Sequence, residues 1–275
     1  MAGKPGSAER VAKLVLRSAP QVPRPGKPWL LPDCYIEMAW IPQGRFLMGS
    51  PEGEYNRLED ETQHQVTLSK GFWLGKYEIT QGQWTALMGS NPSSFTYSGR
   101  AAPVENVSWD DAMEFCNTLM RKERSAGRLT AGYEYTLPTE AQWEYACRAG
   151  TAGAFHYGDN LDSDMANFDG NYPFGRGAEG VFRERTMAVG KFRQNAWGLF
   201  DMHGNVWEWC RDGYGAYPTG NVTDPAGATT VEKRVVRGGS WADDAGFCRS
   251  ARRYYYEPGY SKRDLGFRLA LAPVQ

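Results

Sequence analysis

After Gly150 the chain runs for over a hundred residues without one convincing helical period, and no other feature constrains its fold as strongly. That stretch is rich in Gly, Asn, Asp, Tyr and Trp, with short β-like pieces at Val235–Arg237 and Phe267–Leu271. It is too long for a structureless loop inside a compact domain. Bound ions or packed aromatic rings, in place of regular ladders, must hold it. Composition agrees: 10 Trp, 15 Tyr and 12 Phe stand among 32 Gly and 16 Pro. So many rings build a substantial core, and so much Gly and Pro means that the core is reached through turns. A helical bundle and a disordered chain are both excluded. The 275 residues fit one large domain, with or without a short extension.

Charge narrows the partners. The formal net charge is -1, from 31 basic and 32 acidic side chains, so no nucleic-acid partner is expected. No apolar run approaches the roughly 18 residues of a membrane span. The N-terminus carries no signal-peptide pattern. The expected location is cytoplasmic if this N-terminus is native, and surface or exported if a signal has been removed. Five cysteines (Cys34, Cys116, Cys147, Cys210 and Cys248) are widely spaced and include no CxxC pair. A zinc knuckle is not expected, and the spacing suits a reduced compartment while leaving one or two disulfides open. The sequons at Asn106 and Asn221 are read as chance matches.

Residues 1–35 differ from the remainder. Val11–Leu16 has the pattern of a short amphipathic turn, and Pro20–Pro32 reads as an extended linker, the segment being expected either to pack on the domain or to be partly mobile. Glu37–Ile41 and Gly44–Met48 read as strands meeting at Pro42-Gln43, and Gln65–Leu68 and Phe72–Gly75 as two more. Between them, Glu52–Glu61 is an acidic loop with Arg57 as its one cation. Three helix starts follow, each with a capping hydroxyl and a polar partner three residues on: Thr80 with Gln83, Ser108 with Asp111, and Thr139 with Gln142.

Seven segments then stand in order. They are Ile41–Ser50 (IPQGRFLMGS), Lys76–Thr80 (KYEIT), Pro103–Trp109 (PVENVSW), Leu137–Ala146 (LPTEAQWEYA), Gly198–Trp209 (GLFDMHGNVWEW), Arg237–Trp241 (RGGSW) and Gly266–Arg268 (GFR). Together they resemble the formylglycine-generating enzyme (sulfatase-modifying factor) domain family, from about Tyr35 to the C-terminus. The resemblance implies a variant of the C-type lectin fold: α+β, with few helices, small antiparallel sheets and much irregular structure. It divides the chain into an N-terminal extension, 1–35, and a lectin-type domain, 36–275.

Family membership does not determine activity. The family's oxidases bind copper through two cysteines shortly after the Gly-Gly-Ser motif, and copper(I) wants both thiolates. Here Cys248 stands at the second position and Asp243 at the first, so no copper and no formylglycine synthesis are expected. Residues 1–35 hold no histidine, so the family's ergothioneine-type iron site is not expected either. The resemblance does imply a calcium loop, with Asp201 and Glu208 as carboxylate ligands and Gly204 and Val206 as carbonyl ligands. Hard oxygen donors suit a structural Ca2+. The family's second calcium loop, beginning at Asn167-Phe168, has Val181 at its acidic position and is expected to be lost. His203 beside the first loop is read as structural.

Between Trp241 and Gly266 lies a segment of Tyr, Asp, Arg, Ser and Gly. Three consecutive tyrosines, Tyr254–Tyr256, cannot all face a core from one strand. Such residues on irregular backbone have the chemistry of a paratope: wide rigid contact area with adaptable hydrogen bonds. The segment also resembles the variable region of a diversity-generating retroelement, in which adenines of Asn codons are randomised within a C-type lectin domain. That resemblance makes 241–268 the variable region and gives the expected ligand-binding residues. They are Ala242, Asp243, Asp244, Phe247, Arg252, Tyr254, Tyr255, Tyr256, Tyr260, Arg263 and Asp264, each reachable from an Asn codon through its two adenines. Cys248–Ala251, Arg253, Pro258-Gly259 and Leu265–Arg268 would be constant. The expected function is a non-catalytic, monomeric ligand-binding protein whose partner is a protein. The alternatives are a family oxidase using Cys248 with another thiol, and a non-enzymatic interaction module of the same family.

Overall fold

The computed structural model describes residues 21–228 and 232–274, so the turn expected at Val11–Leu16 lies outside the described residues. In chain order the strands are β1 (Trp29–Leu31), β2 (Ile36–Ile41), β3 (Gly44–Met48), β4 (His64–Leu68), β5 (Phe72–Gly75), β6 (Tyr133–Thr136), β7 (Trp207–Gly213), β8 (Val222–Thr223), β9 (Arg234–Arg237), β10 (Arg253–Tyr256), β11 (Leu265–Gly266) and β12 (Ala270–Pro273). The α-helices are α1 (Gln81–Met88), α2 (Trp109–Ser125) and α3 (Glu140–Arg148). Three sheets result: an antiparallel one in the order β1-β2-β5-β12-β6, a mixed one in the order β10-β9-β7-β11, and a small one in the order β3-β4-β8.

The five-stranded sheet separates two core layers by simple alternation. Met38, Trp73 and Leu271 point to the side covered by α1 and α2. Ala39, Phe72, Leu74 and Ala270 point to the other, where Trp143 and Ala146 of α3 and Val66 of β4 meet them. On the first side Trp84 stacks on Phe115 at 5.5 Å, and Phe267 meets both rings edge-on. The C-terminal strand β12 lies between β5 and β6, which fastens the irregular half of the chain to the regular half.

All three helix starts carry the expected reciprocal cap. The Thr80, Ser108 and Thr139 hydroxyls accept from the backbone of Gln83, Asp111 and Gln142, whose side chains accept in return. Helix α2 buries Ala112, Phe115, Cys116 and Leu119 on one face, whereas all nine residues of α3 are buried.

Some expected elements differ. The strands either side of Pro42-Gln43 do not pair with each other: β2 joins the five-stranded sheet and β3 the three-stranded one. Phe267–Leu271 is no single strand, because pairing ends at Gly266 and resumes at Ala270. The proline-rich segment packs on the domain, one of its two expected states: β1 pairs with β2, Trp29 Nε1 donates to the Tyr135 hydroxyl at 3.2 Å, and Trp73 Nε1 donates to the Lys27 carbonyl at 2.7 Å. The fold therefore begins before Tyr35.

Beyond Gly150 the described residues contain no α-helix. Asparagine side chains stand in for ladders there. Asn195 Oδ1 accepts from the backbone N–H groups of Trp197 and Leu199, while its Nδ2 donates to the Ala146 carbonyl. Asn205 Oδ1 accepts from Met187 N–H and from Asn167 Nδ2. Phe155, Leu161, Phe168 and Phe174 supply a small apolar core of their own.

Candidate functional site

The four-stranded sheet carries the segment singled out above. After β9, Gly238 and Gly239 turn the chain at φ +97 and +71. A Cβ on Gly239 would stand 2.7 Å from Cys248 Sγ, so only glycine lets the two passes of chain approach. A short 3-10 turn, Ala245–Cys248, follows, and Asp244 caps it by accepting from Gly246 N–H at 2.8 Å. The chain then forms β10, which pairs with β9 at the sheet's edge.

Arginines anchor this segment from beneath. Arg237 donates to Glu140 at 3.0 Å and to Glu144 at 2.5 Å. Arg253 grips Glu140 with two bonds of 2.7 and 2.8 Å. Arg249 holds Glu61 with bonds of 2.7 and 2.8 Å and reaches Glu54 at 2.6 Å. Arg268 holds both oxygens of Glu208 at 2.6 Å. Planar two-point pairing of this kind is what makes a buried charge tolerable. Burial alone would raise the Glu140 carboxyl, but Arg253 and Arg237 override it and hold Glu140 below the usual range.

The positions expected to vary lie above this layer. Ala242 and Arg263 are exposed, and so are Tyr254 at 38% and Tyr260 at 42%. Tyr255 and Tyr256 are half-buried. Tyr256 stacks on Tyr260 at 4.6 Å and meets Trp209 edge-on, while Tyr254 packs on Trp207 at 5.9 Å. Tyr255 packs against Tyr214 at 4.4 Å, lies beneath Lys233 Nζ at 4.1 Å and stacks on Tyr254 at 5.5 Å. Arg263 lies over Trp241, and Arg252 over Phe247. Neither of these two arginines meets a carboxylate among the described residues, unlike the four below them.

Two expected surface residues face inward. Asp264 is buried: its Oδ2 accepts from Lys262 Nζ at 2.8 Å, and its Oδ1 has no partner among the described residues. Asp243 accepts from Trp207 Nε1 at 2.9 Å and from the Ser240 hydroxyl, and burial raises its carboxyl. Both brace the surface from within. Close by, burial pushes the Cys248 thiol well up, and Asp243 and Asp244 add to the effect. Each of the five cysteines is free and buried.

At the expected calcium loop, Arg268 and Trp143 Nε1 saturate Glu208. Among the described residues the carboxyls left short of partners are Asp201, with one bond from Gly190 N–H at 2.6 Å, and Glu78, whose Oε2 is buried without a partner. Burial pushes Asp201 up to about 6, with Glu208 contributing. Arg268 pairs with Glu208 alone, while its charge lowers the nearby buried carboxyls of Glu78 and Asp201 against the stronger effect of burial. Glu208, expected as a ligand, is instead the ion-pair partner of Arg268, and among the described residues no group of three or more His, Cys, Asp or Glu side chains is placed to hold a metal ion. His203 has no free nitrogen: Nδ1 faces the Cys248 carbonyl at 2.8 Å, and Nε2 accepts from His156 N–H at 3.1 Å. It is structural.

The match to known proteins follows the same boundaries. The sulfatase-modifying factor enzyme 1-like domain matches residues 32–273. The chain belongs to this family. Chaperone protein LppX of Paenibacillus barcinonensis is 34% identical over 214 residues, covering 64% of this chain and 71% of that one. The formylglycine-generating enzyme of Mus musculus is 31% identical over 216 residues, covering 75% of this chain. The aligned part is 53% of the mouse enzyme, so this family member spans about half of that relative's length. Among solved structures, Treponema denticola variable protein 1 superposes with a TM-score of 0.76 at 29% identity, over 91% of this chain and 100% of that one. The fold is the expected α+β C-type lectin fold of the formylglycine-generating type. No helix among the described residues is long and apolar enough to cross a membrane.

Glu78, Asp212, strand β7 and the carboxylate partners of the arginines were not foreseen. One signal was available for the partners. Glu140 and Glu144 sit in a helix whose Trp, Tyr and Ala leave no polar face, and acids so placed need cationic partners.

Proposed function

We propose that this chain is a non-catalytic ligand-binding protein, a diversity-generating retroelement variable protein that displays residues 242–264 on a lectin-type scaffold. One observation carries the reading. The arginines assigned to the constant scaffold, Arg249, Arg253 and Arg268, are saturated by buried carboxylates, whereas those assigned to the variable set, Arg252 and Arg263, meet none among the described residues. A surface built over its own anchors can change residue by residue without unfolding the domain. The likeness to Treponema denticola variable protein 1 supports the same reading. The residues around Cys248 weigh against the oxidase alternative: a buried, protonated thiol beside a carboxylate is a poor copper(I) donor set. A structural Ca2+ at Asp201 belongs to the proposal.

Sequencing copies of the gene from one natural population tests it. Substitutions should concentrate at 242–244, 247, 252, 254–256, 260, 263 and 264, and a near-copy of codons 241–268 carrying Asn codons should lie beside a reverse transcriptase gene. Substitutions spread evenly over the domain would overturn the reading. So would one equivalent of copper(I) bound by the wild type and lost in Cys248→Ser.

A further inference from the structure

Between residues 56–58 of the acidic loop and the 3-10 turn Ala245–Cys248 lies a cavity of about 400 Å3, lined by Asn56, Arg57, Leu58, Asp244, Phe247 and Arg252. Arg252 is 9% exposed, yet its guanidinium donates to no acceptor among the described residues, and Nε is buried without a partner. Its guanidinium carbon sits 4.4 Å from the centre of the Phe247 ring, which fixes the plane of the fork. Arg57 donates Nε to the Ser50 carbonyl at 3.3 Å, and its terminal nitrogens have no acceptor among the described residues.

The loop that supplies Arg57 is rich in acids, but three of the five are engaged elsewhere, and the other two, Glu52 and Glu59, are exposed and do not line the cavity. Glu54 and Glu61 hold Arg249, and Asp60 accepts from the Tyr214 hydroxyl at 2.6 Å. The cavity wall therefore carries two guanidinium groups against the carboxylate of Asp244, an excess of one positive charge. A desolvated guanidinium without an acceptor is unfavourable until an anion reaches it. Burial accordingly pulls Arg252 below its usual range, and Arg249 adds to this against the opposing pull of Glu61.

We infer that this cavity receives the carboxylate of an Asp or Glu side chain from a protein partner, with Arg252 making the planar two-point contact and Arg57 closing over it. A singly charged carboxylate matches both the excess charge and the fork geometry. A phosphate dianion would meet Asp244 with its second charge unbalanced. The inference rests on the binding-surface reading above and gives that surface its anchor: an acidic partner side chain here, beside tyrosine contacts at Tyr254 and Tyr260.

Two measurements test it, and the first is independent of that reading. N-acetylglutamate α-methylamide, whose one charge is the side-chain carboxylate, is titrated into the wild-type protein while the arginine Nε–H signals are followed by NMR. The Arg252 signal should shift in a saturable manner and the Arg249 signal should not, with Arg57→Gln weakening the response. No saturable shift, or tighter saturation by inorganic phosphate, overturns the proposal. In the second, a phage-displayed peptide library is selected on the wild-type protein. Selected peptides should share an acidic residue, and Arg252→Ala should weaken them at least about tenfold. Changing that peptide residue to its amide should weaken wild-type binding equally and add nothing in Arg252→Ala. Arg252→Lys, which keeps the stem and the charge, should fall between the two. Peptides that need Tyr254 and Tyr260 but ignore Arg252 overturn the carboxylate anchor and leave the surface reading intact. A library that yields no binder overturns both.

Discussion

Arg249 and Glu61 lie 188 residues apart in sequence and meet through two bonds of 2.7 and 2.8 Å, with both side chains fully buried. This contact ties the acidic loop near the N-terminus to the turn that begins the binding segment. Removing one partner leaves the other charged and desolvated. Glu61→Gln should therefore destabilise the fold by about 3–5 kcal/mol, measured by urea unfolding. The double variant Glu61→Leu/Arg249→Met should lose less, because no charge is stranded. A single-variant loss below about 1 kcal/mol would show that Glu54 alone can hold Arg249.

The tyrosines should divide by depth. Tyr254 and Tyr260 are exposed at 38% and 42%, so alanine at either should change stability within about 0.5 kcal/mol. Tyr256 packs between Trp209 and Tyr260, and Tyr256→Ala should cost about 1–3 kcal/mol. Thermal unfolding of the single variants checks this ranking. Equal losses at all three would mean that the tyrosines act as core and not as a contact surface.

Asp212 sets a pH dependence. Burial raises its carboxyl to about 7, with Glu140 adding to the effect, while the hydrogen bond from Glu140 N–H opposes it. Between about pH 4 and 7 the folded protein keeps a proton there that the unfolded chain has released. Stability must fall as pH rises through this window and level off above it, by up to about 1.4 kcal/mol per pH unit. Asp212→Asn still offers an oxygen to Glu140 N–H and should lose this slope. Urea midpoints at pH 5, 6, 7 and 8 would show it, and parallel curves for wild type and variant would contradict it.

What could be read in advance depended on the range of the interaction. The caps at Thr80, Ser108 and Thr139 are local, each complete within four residues, and all three were legible. That Tyr254–Tyr256 do not all enter the core was legible too: Tyr254 is exposed, and Tyr255 and Tyr256 are half-buried. Pairing across the chain was not. Arg249 and Arg252 look alike in sequence, and only the fold brings Glu61 to one of them and leaves the other over Phe247. Asp264 was misplaced for the same reason. Its path to Ser240 and Lys262 runs beneath the surface strand, and no periodicity marks it. Glu78 lies in a recognised motif, but its exchange with Asn205 spans 127 residues.

The carboxyl surplus at Asp201 carries the last prediction. Glu208 pairs with Arg268, burial raises the neighbouring carboxyls of Glu78 and Asp201, and Glu78 Oε2 has no partner among the described residues. Binding of Ca2+ to the folded state alone would relieve this and raise Tm with ligand concentration. Millimolar Ca2+ added to chelator-treated protein should raise Tm by several degrees, Mg2+ should do less, and Asp201→Asn should abolish the response. Glu208→Gln should instead lower Tm with or without the ion, since it strands Arg268. An unchanged Tm on adding Ca2+ would mean that the surplus is relieved by a proton on Glu78 or Asp201 and not by a metal.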